Sequence, residues 1–92
     1  MAHYKLSPDA AEDIERLFLF GIEYFGTVQA TTYLDGLELR LTKIGQTPTI
    51  YPQVTHIRAG YRRSVYGVHS IYYREVDIDT VEIIRIIGRE HF

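Results

Sequence analysis

The spacing of apolar residues changes once along this chain, and that change limits the folds open to it. As far as Gly45 they recur every three or four positions, as helices require, whereas from Tyr61 onward they fall in β-branched and aromatic runs. His3 to Leu6 alternates polar and apolar residues and predicts a short strand. It leads into a helix start at Ser7-Pro8-Asp9, with Ser7 as N-cap and Pro8 as the first helical residue. Ala11, Ile14, Phe18, Ile22 and Phe25, with Leu17 and Gly21 beside them, describe an apolar stripe that Gly26 ends. Thr27 is then expected to cap a second helix, whose Ala30, Leu34, Leu37, Leu41 and Ile44 repeat before Gly45 closes it. Gly36 inside that helix costs about 1 kcal/mol relative to alanine, so either a close contact selected it or the helix tolerates it.

Residues 45–60 hold Gly45, Pro48, Pro52 and Gly60 and read as a connecting loop. Tyr61 to Tyr66, Val68 to Val76 and Thr80 to Ile87 then read as strands, parted by Gly67 and by Asp77-Ile78-Asp79, and form a meander. The last is apolar at Val81, Ile83 and Ile87 on one side and at Ile84 and Ile86 on the other, which predicts an interior position in the sheet. The expected fold is α+β, a two-layer β-α-α-β-β-β arrangement with an N-terminal helix hairpin packed on one face of a mainly antiparallel sheet. Residues 1–92 are expected to form a single domain with one core.

Several function classes drop out on composition. The chain has no cysteine, which removes disulfides, thiolate metal sites and a cysteine nucleophile. His3, His56, His69 and His91 lie too far apart for a local ligand motif, so neither metal nor cofactor is expected. No apolar run approaches the ~20 residues that span a bilayer, and the first residues carry no signal-peptide core, so a cytoplasmic protein without a membrane partner is expected. The net charge of -2 argues against a general polyanion binder.

Charge is nonetheless unevenly placed. Residues 56–74, HIRAGYRRSVYGVHSIYYR, hold four arginines, two histidines and four tyrosines with no acidic residue. Guanidinium offers a fixed fork of donors and the phenol a stacking face with a polar tip, so this strip suits an anionic or planar partner.

Four segments together resemble the ParE toxins of the RelE/ParE superfamily: YKLSPDAAEDIERL, FGTVQATTYLDGLELRLTKIGQTP, IRAGYRRSVYGVHSIYYREV and VEIIRIIGRE. The resemblance covers nearly the whole chain and is specific as an ordered set rather than through any one motif. It implies the toxin half of a type II toxin-antitoxin pair, acting by inhibition of DNA gyrase rather than as an enzyme. It also implies a ParD-like ribbon-helix-helix antitoxin that wraps the toxin in a hetero-oligomer, with DNA contacted only through that antitoxin. The alternative is a RelE-like, ribosome-dependent mRNA endonuclease of the same fold. Against it, the only lysines, Lys5 and Lys43, fall on the first strand and second helix, and the chain reads His69-Ser70-Ile71-Tyr72 where that activity wants an arginine.

The candidate antitoxin or target contacts are Arg58, Tyr61, Arg62, Arg63, His69, Tyr72, Tyr73, Arg74, Arg85 and Arg89, with no catalytic and no metal residue among them. Adjacent strand residues point to opposite faces, so one of Arg62 and Arg63 is expected to pair internally, and one of Tyr72 and Tyr73 to be core. Arg58 precedes its strand on an accessible loop. His69 is a possible acid or base, set against a hydrogen-bonding surface residue. Arg85, in so apolar a strand, must reach solvent, a carboxylate or a partner. Gly88 to Phe92 is either a contributor to toxicity or a plain chain end.

Overall fold

The computed structural model describes residues 3–88. Strand β1 (His3–Leu6) is followed by helices α1 (Pro8–Phe25) and α2 (Thr27–Gln46). A single 3-10 turn, Pro48–Ile50, then precedes β2 (Tyr61–Tyr66), β3 (His69–Asp77) and β4 (Thr80–Gly88). The sheet order is β1-β4-β3-β2, with β1 parallel to β4 and the other pairs antiparallel. Both helices pack on one face, as the patterning predicts, and β4 is indeed interior. Leu17, Leu37, Leu41 and Ile44 from the helices meet Ile71, Tyr73, Val81, Ile83 and Ile86 from the sheet in one cluster.

Ser7 caps α1 by accepting the Ala10 N–H at 3.0 Å, and its hydroxyl donates to the Ile84 carbonyl at 2.7 Å. One side chain thus starts the helix and ties it to β4. At the other end Gly26, with φ of 87°, both terminates α1 and takes the cap position of α2, so Thr27 is already helical rather than the cap. The second helix presents its expected stripe, with Ala30, Leu37, Leu41 and Ile44 buried and Leu34 half-buried.

Three further expectations need correction. The buried residues of α1 are Ala10, Asp13 and Leu17, while Ile14, Phe18 and Ile22 are half-buried and Ala11 and Phe25 exposed. The helix is apolar on more than one side, and a buried carboxylate occupies part of the true inner face, where counting apolar residues cannot see it. In β4 the inward residues are Val81, Ile83 and Ile86. The register slips between Tyr72↔Arg85 and Tyr73↔Ile83, so Ile84 is an extra, bulged residue that reverses the alternation beyond it. Gly45 does not end α2, which runs to Gln46. It is buried, and a β-carbon there would lie 3.2 Å from the His3 carbonyl carbon, so its role is the close approach of α2 to β1. Gly36 is likewise a contact residue, because a β-carbon would fall on the Tyr66 hydroxyl.

The β2 edge is covered, and so is the length of β4 that β1 leaves unpaired. On β2, Val54 donates to the Tyr61 carbonyl, Arg63 donates its N–H to Pro52, and Arg40 donates to the Val65 carbonyl. On the other side β1 stops at Leu6 opposite Ile83, and from there α1 supplies the partners that a strand would. Ser7 takes the Ile84 carbonyl and Asp13 takes the Ile86 N–H at 2.9 Å. Such covering denies an incoming strand a free ladder.

Candidate functional site

The meander places the basic strip on β2, β3 and the loop before them, and the pleat divides it between two faces. Arg62, half-buried, donates to the carbonyls of Tyr51 at 2.7 Å and Thr49 at 3.4 Å, holding the 48–53 loop. Arg63 points the other way, is exposed, and donates through Nε and Nη2 to Ser70 Oγ at 3.0 and 2.9 Å. Arg58 is exposed in the loop, with its guanidinium carbon 5.9 Å from the ring centroid of half-buried Tyr61. Among the described residues no carboxylate pairs with Arg58, Arg62 or Arg63. Within residues 56–74 those three are the arginines that no carboxylate offsets.

Arg74 and Arg85 meet carboxylates, whereas Arg40 donates to Ser64 Oγ at 2.9 Å and to the Val65 carbonyl at 2.8 Å. Arg74 donates to Glu82 Oε1 at 3.0 and 3.1 Å on the open sheet face. Arg85 reaches past the end of β1 to Asp13, at 2.8 and 3.0 Å. Asp13 is 1 % exposed and also accepts from Arg16 at 2.7 Å and from the Ile86 N–H. Burial would raise its pKa, but the hydrogen bonds from Arg85, Ile86 and Arg16 outweigh that and hold the carboxyl below the ordinary aspartate range. Arg85 therefore has its carboxylate inside the fold, and its role as a partner contact is the weaker reading. Arg89 lies outside the described residues.

The tyrosine pair divides as the pleat requires. Tyr72 is half-buried on the open face, in register between Arg63 and Arg85. Tyr73 is fully buried and donates to the Pro48 carbonyl at 2.5 Å. Burial pushes its phenol up to about 12. Tyr73 is thus a core residue and not a contact surface.

His69 departs from the surface alternative. It is buried against the helical layer, with Nδ1 2.7 Å from the Tyr33 hydroxyl, which also lies 3.0 Å from the Tyr66 carbonyl it can donate to. Beside it opens an apolar groove of about 350 Å³, walled by Leu17, Phe20 and Phe25 of α1, Ala30 and Tyr33 of α2, and Val68 of the β2–β3 turn. Gly21 sets its floor, since a β-carbon there would stand 3.2 Å from the Ala30 Cβ. Reading along the chain misses this groove. Its one sequence signal is Phe20, a large apolar residue standing off the stripe expected for α1. Among the described residues no three His, Asp or Glu side chains are placed to hold a metal, and no helix is long and apolar enough to cross a membrane.

With this geometry, comparisons reach the same family as the resemblance. Residues 4–91 match the family described as the ParE toxin of type II toxin-antitoxin systems, parDE. Toxin ParE1 of Caulobacter vibrioides is 33% identical over 87 residues, covering 95% of this chain and 88% of that protein. Toxin ParE1 of Mycobacterium tuberculosis is 29% identical over 86 residues, covering 94% and 88%. Among solved structures, the chromosomal ParDE system of P. aeruginosa superposes with TM-score 0.78 at 17% identity, covering 96% of this chain and 95% of that one. The RelBE2 toxin-antitoxin complex of Mycobacterium tuberculosis superposes with TM-score 0.72 at 16% identity, covering 96% and 98%. At such identities the two structures show a shared fold.

Proposed function

Because the chain belongs to the ParE toxin family of type II toxin-antitoxin systems, we propose that it is a non-enzymatic cytoplasmic toxin that inhibits DNA gyrase and is held inactive by a ParD-like ribbon-helix-helix antitoxin. The observation that carries the partner half of this reading is one of juxtaposition. The β2–β3 hairpin contributes Val68 and His69 to an apolar groove and also bears Arg62 and Arg63, whose charges no carboxylate offsets among the described residues. Because Arg62 and Arg63 point to opposite faces, an acidic, amphipathic antitoxin segment that wraps the hairpin meets both demands, laying apolar side chains along the groove and carboxylates on the guanidinium groups. DNA then enters only through the antitoxin's own domain. Both solved relatives come from toxin-antitoxin systems, which supports a partner of this kind.

Gyrase as target rests on the family. The ribonuclease alternative shares the fold, but its chemistry needs groups free to move protons and hold a phosphate. Here Arg85 is engaged by Asp13 and Tyr73 is sealed in the core. Two assays on the purified toxin separate the readings. Inhibited supercoiling with accumulated cleavage complexes, and intact ribosome-bound message, is the expected outcome; cleaved message with normal supercoiling would sink the proposal.

A further inference from the structure

We propose that the open face of the sheet, turned away from both helices, is the surface through which the toxin engages its target, and that it takes an acidic patch of a folded protein. The proposal deepens the toxin reading and rests on it. Two rows of register-paired residues cross that face. Lys5, Glu82, Arg74 and Tyr61 stand side by side in one, and Arg85, Tyr72 and Arg63 in the next. In these rows four cations accompany one carboxylate, that of Glu82. The Arg85 guanidinium turns to Asp13, yet its side chain is 40% exposed. Tyr72 is half-buried between two arginines, and its phenol offers both a stacking face and a polar tip.

The make-up of the face selects the partner. The β2 edge is covered, so a partner on this face reads side chains rather than adding a strand there. Arginine and tyrosine are the residues that carry binding energy between proteins, whereas phosphate-binding surfaces are built on lysine as well, and Lys5 is the one lysine in these rows. On the other side of the sheet the two helices hold seven carboxylates against Arg16, Arg40 and Lys43. A long polyanion running off the face would be repelled by that layer, and a compact acidic patch would not. The apolar groove lies on the helical side, so an antitoxin segment that fills it and wraps the hairpin reaches the open face at Arg63, on β2. Covering that end denies the target its seat, while Tyr72 and Lys5 stay clear of the antitoxin.

Growth after induction without antitoxin tests the face whatever the identity of the target. Wild type should arrest growth, Tyr72→Ala should restore colony counts about tenfold or more, and Lys5→Glu should restore them several-fold. Circular dichroism should report both variants folded, with antitoxin affinity by calorimetry within about twofold of wild type. Purified DNA gyrase should bind Tyr72→Ala about tenfold more weakly than wild type. Full toxicity in both folded variants would overturn the proposal. So would a matching loss of antitoxin affinity, which would make the face the antitoxin's. A short fluorescein-labelled oligouridine that binds wild type and not Tyr72→Ala would overturn it too, by making nucleic acid the occupant. Toxicity lost in the variants, with supercoiling untouched by wild type, removes gyrase as the target and upholds the face. A wild type that never arrests growth overturns the toxin reading and the face with it.

Discussion

Asp13 is the residue on which most depends and the one that periodicity hides. Its carboxylate replaces a missing strand partner for Ile86 and anchors Arg85 and Arg16 at once. Replacement by alanine should cost about 3 kcal/mol in urea unfolding, because a buried backbone donor and two guanidinium groups lose their acceptor, although both arginines are part-exposed and recover some hydration. The pH dependence follows in sign. A carboxyl held low in the folded state stabilises at pH above its unfolded pKa, and that stability is lost as pH falls through the folded value. Asp13→Asn should therefore flatten the acid limb of the stability profile, and an unchanged limb would refute the assignment. Tyr73 has the opposite sense: its phenol is raised to about 12, so stability should fall as pH climbs above the usual tyrosine range. Tyr73→Phe should lose about 1 kcal/mol through the Pro48 hydrogen bond, with the highest-pH step missing from an ultraviolet tyrosine titration.

At the scale of elements, the close contacts of the helices with each other and with the sheet are set by small residues. Gly45 brings α2 against β1, Gly21 brings α1 against α2, and Gly36 admits the Tyr66 ring, which also stacks near Tyr33 and Arg40. Gly36→Ala should thus lower stability although alanine favours a helix by about 1 kcal/mol. In a Tyr66→Phe background, where the obstructing hydroxyl is gone, the same change should cost less. A double-mutant cycle by urea unfolding measures that coupling, and strict additivity would contradict the contact. These glycines are visible along the chain, but periodicity alone does not distinguish a cap from a close approach. Gly45 reads as a terminator because it follows the last apolar position, whereas its partner lies on a strand some 40 residues earlier in sequence.

For the whole molecule, the relevant property is how charge and apolar surface are combined. Arg58, Arg62 and Arg63 are the arginines of the 56–74 strip that no carboxylate offsets among the described residues, so replacing all three by alanine should weaken antitoxin binding, each charge-assisted hydrogen bond to a carboxylate contributing about 1.5–3 kcal/mol. Arg62 also holds the 48–53 loop, and circular dichroism must report a folded variant before the binding is read. Unchanged affinity and unchanged toxicity in that folded variant would remove the basic surface from the proposed function. Val68→Asp, at the exposed lip of the groove, tests the apolar half separately and should weaken the complex about tenfold by calorimetry.

The amino-acid sequence by itself determined the element order, the two-layer α+β class, the inward stripe of α2 and the interior place of β4. Each of these follows from local periodicity and turn chemistry, which a single chain displays along its length. It also carried the family, through an ordered set of segments. Only the tertiary structure decided which side of α1 is buried, where the bulge in β4 reverses its faces, and that Asp13 and Arg85 are partners. It alone formed the groove from two helices and a turn. Those outcomes depend on pairs of residues far apart in sequence, whose meeting is fixed by packing and by the need to satisfy buried polar groups.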